Sequence, residues 1–186
     1  MADVGLIRAL PVIPSTDGMT EEQLAERWRE GDRYTTPEGD RDVDGRVLRA
    51  LTVWQPWAHC IAHLGKRIEN RSWRPWSEMI GQVIAIHAAA RVNEDEEIQI
   101  AHHLEPLGFR LPLLDTLPRG AIVAVARVTG YVVASDSPWF VGPYGWTLSD
   151  VIALPQPIAC RGAQGLWNVP PDVAARVLKS LEVGHA

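Results

Sequence analysis

The sequence predicts an α+β fold, a partly closed β-barrel with flanking helices. Its 186 residues amount to roughly one domain, enough to withdraw about 70% of the unfolded surface from water. Several short β-type runs are interspersed with only a few helix signals, which suits a barrel better than the regular alternation of a parallel sheet. Composition, at 46% hydrophobic and 22% charged, argues against wholesale disorder.

Residues 1–45 read as an N-terminal extension and residues 46–186 as the compact domain. In the extension, Thr20 to Gln23 (TEEQ) forms a capping box, with Met19 and Leu24 placed as a hydrophobic staple. A short helix should run to about Glu30 and stop at Gly31, followed by the turn-rich linker TTPEGDRDVDG. The domain opens with VLRALTV, Val47 to Val53, a β-type run that ends before QPW. Pro56 suits the first turn of a helix, where its missing N–H costs nothing. Trp57, Cys60, Ile61 and Leu64 then share an apolar face at i, i+3, i+4 and i+7, and Gly65 closes the helix. His59, His63 and Lys66 form a second stripe on it.

GKRIENRSW alternates like a strand, with Arg67, Glu69, Arg71 and Trp73 on one side and Ile68, Asn70 and Ser72 on the other. GQVIAIHAAA, Gly81 to Ala90, reads as a more buried strand. Asn93 with Glu96 gives a second capping signal, for a helix that should end before Pro106. AIVAVARVTGYVVA, Ala121 to Ala134, is a long β segment with Gly130 as a bulge or bend. The loop SPWFVGPYGW leads into two or three short strands, including WTLSDVIAL and the region around AQGLW. A helix over Asp172 to Glu182 follows Pro170 and Pro171. There is no internal repeat and no low-complexity tract.

Charge is unevenly spread. The net −5 speaks against a generic DNA-coating protein. Residues 1–45 carry five Arg and eleven Asp or Glu; residues 46–91 carry seven Lys or Arg and two Glu; residues 92–186 carry six and ten. The GKRIENRSW region is therefore a basic island, able to attract a phosphate-bearing ligand unless folding disperses it. Two cysteines, Cys60 and Cys160, make neither a disulfide framework nor a four-cysteine zinc site. Without a signal-peptide layout or an apolar run near 18 residues, the chain reads as soluble and cytoplasmic, with no membrane partner. P-loop, dinucleotide fingerprint and nucleophile elbow are all absent, and no cofactor is expected.

Several side chains could carry chemistry. Lys66 and Lys179 are the only lysines among 18 cationic residues. Lysine is the cation whose pKa shifts readily, so Lys66 could serve as donor or base, or simply satisfy the helix dipole. Glu69, between Arg67 and Arg71, could meet the exocyclic amine of a base or move a proton; equally, it could belong to a solvated ladder of charges. His59 and His63 have H-x-x-x-H spacing, but Cys60 stands where a zincin needs glutamate, so the pair reads as surface or pocket-lining and no metal site is expected. Cys60 falls on the apolar face, where a thiol is inert. Trp57 reads as core; Trp73, Trp76, Trp139 and Trp146 lie in or beside loops, where stacking on a base is physically possible.

Together LTVWQPWAHCIAHLGKRIENRSW resembles the opening of an ASCH (activating signal cointegrator homology) domain, a branch of the PUA-like superfamily. Lys66, Glu69 and Arg71 match the K-x-x-E-x-R part of its G-x-K-x-x-E-x-R signature, with Leu64 at the glycine position. GQVIAIHAAA resembles the family's next core strand and RGAQGLWNVP its closing one, so the likeness spans roughly residues 47–170. It implies a small PUA-like barrel whose cleft is floored by the strip. RNA or single-stranded or modified nucleic acid would be bound there by Lys66, Arg67, Glu69, Arg71, Trp73, His59, His63 and Trp146. Some ASCH proteins are amidohydrolases on acetylated cytidine or have ribonuclease activity, and an enzyme here would use Lys66 and Glu69. In the amidohydrolase type the lysine works with a threonine where this chain has Glu69. A protein-interaction module, suggested by the acidic extension, is the third reading.

Overall fold

The computed structural model describes residues 47–91, 98, 100–102 and 104–183. The helix expected over Thr20 to Glu30, and the Asn93–Glu96 capping signal, lie outside them. Six strands form one mixed, curled sheet, a half-barrel: β1 (Arg49–Val53), β2 (Ile68–Arg71), β3 (Val83–Ala88), β4 (Ala121–Val132), β5 (Tyr144–Ala159) and β6 (Leu166–Asn168). Their order is β2-β5-β4-β3-β1-β6. Only β1 and β3 pair in parallel; the other neighbours are antiparallel. Helix α1 (Trp57–His63) follows β1, and α2 (Pro171–Val183) follows β6. No helix among the described residues is long and apolar enough to cross a membrane.

Alternation along the central strands builds two cores, one on each face. Leu51 and Val53 of β1 join Ile84, Ile86 and Ala88 of β3 in one cluster, covered by Ala58 and Ile61 of α1 and by Trp76, Met79 and Trp146. Ala50, Val83 and Ala85 point the other way, into a cluster with Val173, Val177 and Leu181 of α2. Those three are spaced at i, i+4 and i+8, so a single stripe of α2 seals that face. A third, smaller cluster joins Cys60 and Ile68 to Ile100, Leu104 and Trp139.

The expected helix after Pro56, the strand through GKRIENRSW, the buried third strand and the C-terminal helix all form. The register of β4 against β5 shifts between Val128 and Gly130, at the expected bend. After SPWFVGPYGW two strands form, at WTLSDVIAL and near AQGLW as expected, but one expectation is corrected: the first of them, β5, is not short and runs for 16 residues. Ile158 pairs with Ile122, yet Ala153 pairs with Ala124, so Leu154 to Pro157 swell out opposite Val123. Pro155 and Pro157 have no N–H for a ladder. An outward bulge carries both prolines without ending the strand.

Candidate ligand cleft

The turn after α1 sets the site. The Cys60 carbonyl accepts the backbone N–H of Leu64 and that of Lys66, both at 3.0 Å. Gly65 between them has φ 73°, left-handed backbone that glycine adopts without a Cβ penalty. This turn sends the Lys66 side chain inward, where it is only 1% exposed. Its ammonium donates to the Ile68 carbonyl and to Glu69 Oε2, and lies 5.5 Å from the centre of the Trp57 ring. Three N–H groups thus face two oxygens and one π-face.

Glu69 is buried as well. Its Oε2 meets Lys66 at 2.5 Å and its Oε1 meets Arg71 Nη2 at 3.1 Å. The same Arg71 nitrogen donates to the Thr52 carbonyl at 2.6 Å. Lys66, Glu69 and Arg71 therefore form a chain of charge that starts in the interior and ends at the surface with one positive charge in excess. Arg71 Nη1 and Nε have no partner among the described residues, and Nε is buried.

The chain opens into a cleft of about 510 Å³ lined by Thr52, Trp54, Arg71, Ser72, Trp73 and the 163–165 segment. Trp73 is half-buried; one face of it is backed by Trp76, with ring centres 6.3 Å apart and planes 25° apart. Trp54 is 37% exposed. On the opposite face of β2, Asn70 bonds the Trp139 carbonyl and the Val141 N–H, which ties the aromatic loop down.

The far wall is pinned through Thr52. Its hydroxyl donates to the Ala163 carbonyl at 2.8 Å, accepts Trp167 Nε1–H at 3.0 Å and lies 3.3 Å from His87 Nδ1. The other ring nitrogen of His87 meets the Cys160 carbonyl at 3.0 Å. Burial holds His87 below the usual histidine pKa, partly offset by that carbonyl.

Of the residues singled out in the sequence, Arg71 and Trp73 line the cleft. Lys66 and Glu69 sit behind it, buried, and do not form its floor. Arg67 is exposed and donates to the Ile61 and Lys66 carbonyls, capping the end of α1. The rings of His59 and His63 lie against each other at 4.8 Å, tilted by 43°, outside the lining of the cleft. Burial, and then the charge of His63, lowers the His59 pKa. Trp146 is wholly buried, with Nε1 bonded to the Trp73 carbonyl and its ring edge-on to Trp73 at 4.6 Å. It has no face to offer a base and is corrected to a core residue. Trp76 and Trp139 are buried too. Burial pushes the Cys60 thiol up to about 12, so it is inert at neutral pH. No group of three or more metal-ligating side chains exists among the described residues.

Sequence reasoning missed Thr52, Trp54 and Gln164. Trp54 stands directly before QPW, so that motif was the available signal; nothing local marked Thr52 or Gln164, which reach the cleft by strand pairing and by a loop. A larger hollow of about 690 Å³ lies around Ile98, Phe109 and Leu113 and holds none of the strip. No family model matches the chain. No curated protein matches it either.

Proposed function

We propose that residues 46–186 are an ASCH-type, PUA-like domain that binds RNA or another single-stranded nucleic acid by taking one base, plain or modified, into the cleft of Thr52, Trp54, Arg71, Trp73 and Gln164. The observation that carries this reading is the state of Arg71. Glu69 and the Thr52 carbonyl hold Nη2 of its guanidinium, while Nη1 remains without a partner among the described residues, beside two tryptophans. A carbonyl on a base edge or a phosphate oxygen is the acceptor such a group lacks. The indoles supply sequence-tolerant stacking surface. Lys66 and Glu69 act here as the support of Arg71, because the lysine's protons are all engaged and it is closed to solvent.

The test is titration of fluorescently labelled single-stranded RNA and DNA with the full chain at several salt concentrations, monitored by anisotropy. Binding that weakens with salt, and weakens further in Arg71→Ala, is the expected result. Native mass spectrometry of the same mixtures, including acetylated cytosine, reports any product. Absence of binding to every strand would overturn the reading, and turnover would replace it with an enzymatic one.

A further inference from the structure

His87 is a buried titratable side chain beside the cleft residue Thr52 that the proposed binding does not use. It pairs across the parallel β1–β3 ladder with Thr52 and is 1% exposed. Gly162 lies against its ring: a Cβ there would come within 2.4 Å of the imidazole. The segment from Cys160 to Gly165 is thus packed on His87 from one side and hydrogen-bonded to Thr52 from another.

Counting protons at this junction gives two states. Trp167 Nε1–H can only donate, and the carbonyls of Ala163 and Cys160 can only accept. The ring nitrogen that meets Cys160 must therefore carry hydrogen. With a neutral imidazole Nδ1 is then bare, and the single Thr52 proton serves either Ala163 or Nδ1. With an imidazolium, Nδ1–H donates to Thr52 Oγ1, the Thr52 proton goes to Ala163, and every group is satisfied.

We propose that His87 is a positioning residue for the cleft, acting through Thr52: protonation of its Nδ1 commits the Thr52 hydroxyl to Ala163 and fastens the 160–165 wall, and loss of that proton lets the wall loosen. Burial favours the neutral form, so the fastened state is reached on acidification. Burial and the Cys160 carbonyl alone shift His87; of the ionisable groups on the surrounding elements, Arg49 lies on β1, Arg127 on β4, and Cys160 and Arg161 on the wall itself, while Asp172 and Arg176 of α2 act on Cys160. Arg71 reaches the same Thr52, but at its carbonyl. The consequence for ligand binding rests on the nucleic-acid reading above; the coupling between His87 and the wall does not.

The test is an NMR titration of the full chain between pH 5 and 8, following the His87 ring nitrogens and the backbone amides of Ala163, Gln164 and Gly165. Those amides should shift with the midpoint of His87. In Thr52→Val, His87 should still titrate while the amides no longer follow. In His87→Asn the wall amides should lose that midpoint. Amides that ignore His87 in the unaltered chain, or that keep the same midpoint in His87→Asn, would overturn the proposal. A parallel titration with oligouridine, whose bases do not ionise in this range, should show affinity rising on acidification with the same midpoint. No binding of oligouridine or of any other strand at any pH, with the amides still following His87, would remove the nucleic-acid reading and sustain the coupling.

Discussion

Arg71 donates from Nη2 to the Thr52 carbonyl at 2.6 Å, and Thr52 in turn donates from its hydroxyl to the Ala163 carbonyl at 2.8 Å. One residue of β1 thereby joins the basic wall of the cleft to the opposite loop. The ion chain behind Arg71 and the imidazole behind Thr52 consequently act on the same opening from two sides. Both supports are buried, and buried polar contacts are costly to break.

Lys66→Met should destabilise the fold strongly. It removes one cation from a buried carboxylate, and breaking such a pair from one side costs about 3–5 kcal/mol. Urea unfolding would measure the loss, and Lys66→Met/Glu69→Gln should recover part of it because the unpaired charge is gone. A neutral outcome for Lys66→Met would mean that the ion chain contributes little.

Trp54→Ala and Trp146→Ala should separate binding from folding. Trp54 is exposed at the cleft, so its loss should leave stability within about 0.5 kcal/mol while weakening strand binding by about 1–3 kcal/mol. Trp146 is fully buried; truncating it should lower stability by about 3–5 kcal/mol. Thermal melts and anisotropy on the two variants check both halves.

Gly162→Ala should cost about 1–3 kcal/mol, the usual range for overpacking, because the new methyl meets the His87 ring. The ring cannot retreat without giving up Thr52 or Cys160. A change in the His87 NMR signals should accompany the loss.

Stability should fall on acidification below about pH 6.5, the ordinary histidine value. His59 and His87 both have folded pKa values lowered by burial. Between the unfolded and folded values the unfolded chain binds more protons, so ΔG of unfolding decreases as pH drops through that window. Their contribution is complete above the unfolded value. Urea midpoints at pH 7.5 and 5.5 would show the difference, and His59→Asn should reduce it.

Local rules sufficed for much of the fold. β-type runs gave β1 and β3, period-2 alternation gave β2, the apolar spacing after Pro56 gave α1, and the 172–182 stretch gave α2, since each signal lies within a few residues of chain. The end of the strip was legible in the same way, because Glu69 and Arg71 share one face of a strand by parity. The continuation of β5 past Leu154, through Pro155 and Pro157, was not legible, because a bulge is decided by the partner strand β4 and not by the prolines themselves.

What the sequence by itself determined is the set of elements and the presence of a lysine, a glutamate and an arginine in one short strip. Only the tertiary structure decided which of them lines the cleft and which are buried behind it. Burial depends on what packs over a residue, and Trp57, Trp146 and Thr52 come to Lys66, Glu69 and Arg71 from other elements. The same holds for Thr52 and His87, which are 35 residues apart and face each other because β1 and β3 run in parallel. Side-chain order along a strand is local, whereas exposure and partnership are properties of the assembled sheet.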